Sequence, residues 1–156
     1  MTAREAKPNP ESFKRPESVL VVVYTVDGEV LLLQRADATR AWQSVTGSMH
    51  WNEKQPIETA RRELFEETGL VGDDRLKEAG IQNRYPIHPL WKPRYHPDTR
   101  ENCEHLFFLE FPVRPAVAIN IKEHQDFCWL PFADALDKVR FSTNRDAIQL
   151  LLKNKS

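Results

Sequence analysis

A chain of 156 residues corresponds to about one domain and can bury a core of its own. With 40% hydrophobic residues, 29% charged residues and a formal net charge of -1, nothing in it fits a general nucleic-acid or membrane-surface binder. The two cysteines, Cys103 and Cys128, form neither a CxxC pair nor a zinc spacing, so a reducing cytoplasm is the expected compartment and both read as small buried hydrophobes.

The opening MTAREAKPNPESFKRP is charged and proline-rich and lacks the apolar run of a signal peptide; residues 1–13 read as a flexible tail before a single domain over 14–156. VLVVVY is far shorter than the roughly 20 residues that span a bilayer. ESVLVVVYTV, then Asp27-Gly28, then EVLLLQR predicts a β-hairpin closed by a two-residue turn. Its arms are apolar on both faces, as expected of central strands covered on both sides. WQSVT reads as a short strand ending at Gly47. From Pro56 the period becomes helical: Ile57, Ala60 and Leu64 share one side, and Gly69 stands where a helix stops, giving a helix over 56–68. LKEAGIQNRY, CEHLFFLEF and FCWL read as strands, while PIHPLWKPRYHPDTREN holds too many prolines for regular structure. PFADALDKV and STNRDAIQLLLKN close the chain as helices. The class is α/β, a sheet sandwiched between helices.

Glu63, Glu66 and Glu67 fall within an arc of roughly 100° on the helix, beside its apolar stripe, so their side chains are expected at the rim of the packed face. Like charges at this spacing cost a few tenths of a kcal/mol per pair. A solvated face paired by Arg61 and Arg62 is the plain explanation. The other is a hard divalent cation, which takes carboxylate oxygens together with substrate phosphates. No GxxxxGK[ST] run, HExxH spacing or Ser/His/Asp signature competes with it.

Arg62-Glu63-Leu64-Phe65-Glu66-Glu67-Thr68-Gly69-Leu70, downstream of Gly47 and Glu53, resembles the Nudix box. Eight residues rather than the family's seven separate Glu53 from Arg62, while Pro56 keeps its usual distance to Glu63. The extra residue is therefore placed in the loop around 52–55, and Glu53 either reaches Arg62 from a bulge or loses its part in orienting it. WQSVTGS, FKRPESVLVVVY, Thr99-Arg100-Glu101-Asn102, Glu123-His124 and Ser142-Thr143-Asn144-Arg145 further resemble the branch of that family that hydrolyses dihydroneopterin triphosphate.

The resemblance implies a Nudix fold with a mixed sheet and a Mg²⁺-dependent hydrolysis of a small-molecule triphosphate to monophosphate and pyrophosphate, with Mn²⁺ as a possible substitute. It implies Glu63, Glu67 and Glu123 as metal ligands, Glu66 and Glu123 as catalytic carboxylates, and Lys14, Arg35 and Thr46 at the substrate. Arg suits a forked contact to phosphate and Lys a point charge. Trp42, Tyr85, His88 and Trp91 are aromatics that either pack their loop or face a flat ring. None of the five histidines is expected on the metal. A monomer is expected, with no nucleic acid or membrane as partner. Two alternatives remain: a purine nucleoside triphosphate pyrophosphohydrolase on the same carboxylates, and a silent Nudix-fold nucleotide sensor.

Overall fold

The protein is described over residues 10–155 in a computed structural model. The expected tail over residues 1–9 lies outside the described residues. Residues 10–13 are built into the domain: Pro10–Ser12 forms a short 3-10 turn, and the Phe13 carbonyl accepts a hydrogen bond from Trp51 Nε1 at 2.8 Å.

The described residues form seven strands and three α-helices in the order β1 (Glu17–Thr25), β2 (Glu29–Arg35), β3 (Trp42–Gln43), β4 (Val45–Ser48), α1 (Pro56–Thr68), β5 (Leu76–Pro86), β6 (Glu101–Phe111), β7 (His124–Pro131), α2 (Phe132–Lys138) and α3 (Ser142–Lys155). The sheet is mixed. β1 runs parallel to β6 from Glu17↔Cys103 to Thr25↔Phe111, and its other edge pairs antiparallel with β2 and β4. Strand alternation assigns the core to two faces. Val19, Val21 and Val23 point to α1, where Ala60 and Leu64 meet them; Leu20 and Val22 point to α2 and α3, against Phe132, Ala135 and Ile148. The expected covering of β1 on both sides is thus met, each buried aliphatic side chain contributing about 1.5–3 kcal/mol.

Three local expectations change. The hairpin turn has three residues, Val26 to Gly28, with Gly28 at φ 90 completing the loop as a left-handed residue. β1 and β2 pair in register only at Tyr24↔Val30 and then splay apart, because β1 takes β4 as its partner from Ser18 to Val21 while β2 takes β3 and β7. The WQSVT segment is correspondingly two strands, one serving each side of the splay. Neither cysteine is fully buried; both are free and half-buried.

Candidate active site

The splay of β1 from β2 opens a cavity of about 1190 Å³ at one end of the sheet, bordered by β4, the second half of α1, the segment after β5 and the loop before β7. Lys14, Arg35, Thr46, Glu63, Glu67 and Glu123, six of the seven residues expected there, line it together. Glu66 does not. It lies on the exposed side of α1 with Arg62 Nη1 3.1 Å from its carboxylate.

Helix geometry explains the difference. At about 100° per residue, Glu67 falls only about 20° from Ala60 at the edge of the buried stripe, whereas Glu66 is turned roughly 120° from Ala60. The expectation that all three glutamates stand at the rim therefore fails for Glu67, which is 1% exposed. Burial, followed by the charge of Glu63, raises its pKa well above the ordinary carboxylate value. Burial likewise raises Glu63. Glu67 Oε1 lies 2.7 Å from His124 Nε2, and its Oε2 has no hydrogen-bond partner. Burial, with the nearby Arg35 charge, pushes the His124 pKa down to about 4, so the ring beside Glu67 is neutral.

Ligand atoms of Glu67, Glu123 and His124 lie within 4.8 Å of one another. A buried carboxylate with a free oxygen, pressed by two further carboxylates and steadied by an imidazole, fits a divalent cation, which relieves both the repulsion and the burial. His124 is the residue that sequence reasoning passed over. Its position directly after Glu123, where β7 begins, was the available signal: successive strand residues point to opposite faces, and here the loop end brings both to one ion-sized space.

Arg62 ties the helix to the loop. Its Nε and Nη2 grip Glu53 at 3.0 and 2.8 Å, Nη2 also donates to the Ser48 carbonyl at 3.0 Å, and Nη1 donates to Glu63 at 2.8 Å. Glu53 additionally accepts from the His50 amide and the Thr59 hydroxyl, and the Arg62 hydrogen bonds lead in holding its carboxyl down to about 2. The one-residue loop excess is therefore absorbed between His50 and Gln55, and Glu53 keeps its grip on Arg62. Burial and then the charge of Arg94 lower Lys14 to about 8. Arg35 lies 4.6 Å over the Trp91 ring, with Nε on Asp37 at 2.7 Å. The Thr46 hydroxyl donates to the Val19 carbonyl at 2.9 Å. Tyr85, His88 and Trp91 line the cavity; Trp42 does not, and packs instead beside Lys138 in the α2–α3 core.

A match to the NUDIX domain model covers residues 14–151. The chain belongs to the Nudix family. Over 146 residues it is 36% identical to dihydroneopterin triphosphate diphosphatase of Haemophilus influenzae, covering 91% of this chain and 90% of that one. It is 35% identical to the Escherichia coli enzyme of the same name, covering 91% and 95%. The solved structure of the E. coli dihydroneopterin triphosphate pyrophosphohydrolase superposes with a TM-score of 0.81 at 33% identity, over 91% of this chain and 98% of that one. The sandwich described above is thus the Nudix fold, and the chain is a Nudix pyrophosphohydrolase, of a family that generally uses a divalent metal. Among the described residues no helix is long and apolar enough to cross a membrane.

Within this Nudix site, Gly47 is required for room rather than for backbone freedom. A Cβ there would stand 2.1 Å from the Glu63 carboxyl carbon. Gly47→Ala is expected to displace that flexible carboxylate while leaving the fold in place. kcat should fall about 100-fold with Tm lowered by no more than about 4 °C, a shift of about 1 kcal/mol at this length. Parallel kinetics and thermal unfolding check it; an unchanged kcat would show that the Glu63 position is immaterial.

Proposed function

We propose that the chain hydrolyses dihydroneopterin triphosphate to dihydroneopterin monophosphate and pyrophosphate, using Mg²⁺, with Mn²⁺ as a substitute. The observation that carries this reading is the 35–36% identity to two enzymes of that name across 91% of the chain. The cavity is consistent with it, since the cations Lys14 and Arg35 line it together with Glu63, Glu67 and Glu123.

Glu63, Glu67 and Glu123, with His124 beside them, would hold the ion. Bound there, it supplies charge neutralisation at the phosphate oxygens and acidification of water. This chain's own residues do the rest. Lys14 and Arg35 draw the triphosphate against the carboxylate side, Lys14 as a point charge and Arg35 through the guanidinium nitrogens that Asp37 leaves free. The oxygen of a water molecule forms a bond to phosphorus, the α–β bridging P–O bond breaks, and pyrophosphate leaves with the electron pair. Glu123, at the exposed margin of the cavity with a carboxylate oxygen within 4.8 Å of Glu67, would take the water's proton. Glu66 is assigned to steadying Arg62, and through it Glu63, rather than to the reacting atoms.

The test is turnover of dihydroneopterin triphosphate by purified protein with Mg²⁺, scoring pyrophosphate against orthophosphate, beside a panel of nucleoside triphosphates and a chelator control. Preference for the pterin with pyrophosphate released supports the reading. Preference for an adenine nucleotide would move the chain to nucleotide-pool hydrolysis on the same carboxylates, and no turnover of any substrate would leave a nucleotide-binding sensor.

A further inference from the structure

Away from the carboxylates, the cavity reaches a second group of buried polar side chains that the phosphate chemistry does not use. Asn102 and Glu104 sit on β6 in phase with the core residues Leu106 and Phe108, so they point to the α3 side of the sheet, where apolar residues are the rule. They are 4% and 2% exposed, and both line the cavity. Asn102 Nδ2 donates to Ser18 Oγ at 2.7 Å and to the Tyr85 hydroxyl oxygen at 3.1 Å, while the Tyr85 hydroxyl donates to Glu104 Oε2 at 3.1 Å. That leaves Asn102 Oδ1 and Glu104 Oε1 as two buried acceptors with no hydrogen-bond partner. Burial raises the Glu104 pKa, outweighing the lowering from Thr143, Tyr85 and Asn83. Each unpaired buried acceptor is destabilising, because it has given up water and gained no donor. A fold gains nothing from such an arrangement unless something else brings the donors.

We propose that Glu104, with Asn102, reads the paired N–H donors of a 2-amino-4-oxopyrimidine edge, the edge shared by pterin and guanine rings. This rests on the cavity being the triphosphate site proposed above. The ring's 2-amino group and N3–H stand side by side as two donors, which two neighbouring acceptors satisfy together. Adenine offers a single amino donor flanked by ring-nitrogen lone pairs, so a carboxylate oxygen facing N1 meets an acceptor and both sides go unpaired. Discrimination built on a buried hydrogen-bonding group is strong, because the wrong ligand leaves that group unsatisfied. Both acceptors are closed off from water in the free protein, so the ring reaches them by displacing Tyr85, whose hydroxyl links Asn102 Nδ2 to Glu104 Oε2 and whose side chain also lines the cavity.

The experiment compares wild type with Glu104→Gln, nearly the same in shape, for kcat/KM on dihydroneopterin triphosphate, GTP and ATP, and measures binding of phosphate-free neopterin by its fluorescence. Wild type should favour both 2-amino-4-oxo substrates over ATP, and Glu104→Gln should cut those ratios by about 100-fold with ATP turnover held. Neopterin binding should be lost in the variant. Should Glu104→Gln fail to fold, Asn102→Ala, which lacks one acceptor, should cut the same ratios about tenfold. Equal losses on all three substrates, or ratios that do not move, would overturn the assignment. If wild type ignores the pterin yet shows a GTP preference that Glu104→Gln erases, the edge reading stands and the proposed substrate falls. If the pterin is turned over but Glu104→Gln leaves its preference intact, the reverse holds.

Discussion

Glu67→Gln is expected to lower kcat by about 1000-fold and, in metal-free protein, to raise Tm by roughly 2–4 °C. Both effects come from one carboxylate. Glu67 is buried beside Glu63 with one oxygen unpartnered, so without a cation its charge is opposed by desolvation and by its neighbour. Glutamine keeps the shape, can still hydrogen-bond His124, and removes the charge. Because the folded pKa is raised above the unfolded value, the native state holds the extra proton between the two, and its stability falls as pH rises through that window. Wild type in a chelator should therefore lose stability between acid and neutral pH relative to Glu67→Gln, and saturating Mg²⁺ should reverse the order of the two proteins. Calorimetry at several pH values, with and without metal, reads this directly. A variant less stable than wild type in the chelator would show that the carboxylate is content in its burial.

Arg62→Ala carries the second large effect, in the opposite direction for stability. The guanidinium satisfies Glu53, Glu63 and the Ser48 carbonyl at once, and its loss leaves two carboxylates facing each other across a loop and a helix. Breaking a fully buried pair costs 3–5 kcal/mol; with 21% of the Arg62 side chain exposed, about 2 kcal/mol is expected. kcat should fall about 100-fold as Glu63 loses its tether. Arg62→Lys should recover little of either, since an ammonium cannot make the forked contact to Glu53. Glu53 sets the pH dependence. Its folded pKa of about 2 lies below the 4.5 of an ordinary glutamate, so its stabilisation is present above about pH 4.5 and fades as pH falls toward 2. The stability gap between wild type and Arg62→Ala should narrow over that interval in urea titrations. A gap constant with pH would mean that the Glu53 grip adds nothing to folding.

The helix and its box were legible because periodicity, a proline start and a glycine stop are local signals, and so is the spacing of Glu63 and Glu67. Covered strands were legible from their unbroken Val and Leu. The splayed hairpin was not: which strand β1 pairs with beyond Tyr24 is decided by β4 and β6, elements whose claim on its edges no local pattern announces. Glu67 reads as a rim residue because it shares an arc beside the apolar stripe with Glu63 and Glu66, although its own angle is only about 20° from that of Ala60. His124 and the Asn102–Glu104 pair escaped for related reasons. Each is a polar residue in phase with a buried face, and such a residue reads as a flaw in a strand until the fold shows what it faces. The Glu53 loop was not legible, since whether a bulge carries a side chain toward or away from Arg62 depends on a few torsions between His50 and Gln55.

The parallel seam between β1 and β6 also governs how the chain comes to be folded. Glu17 must find Cys103 and Thr25 must find Phe111, so the central ladder of the sheet joins segments far apart in sequence. During synthesis, β1 emerges early as a strongly apolar strand whose lasting neighbour has not yet been made, and it has only the hairpin end and β4 to shelter against. Long-range parallel pairing is slow and exposes sticky edges while it waits. The same strand that anchors the finished domain is thus its point of greatest aggregation hazard on the ribosome.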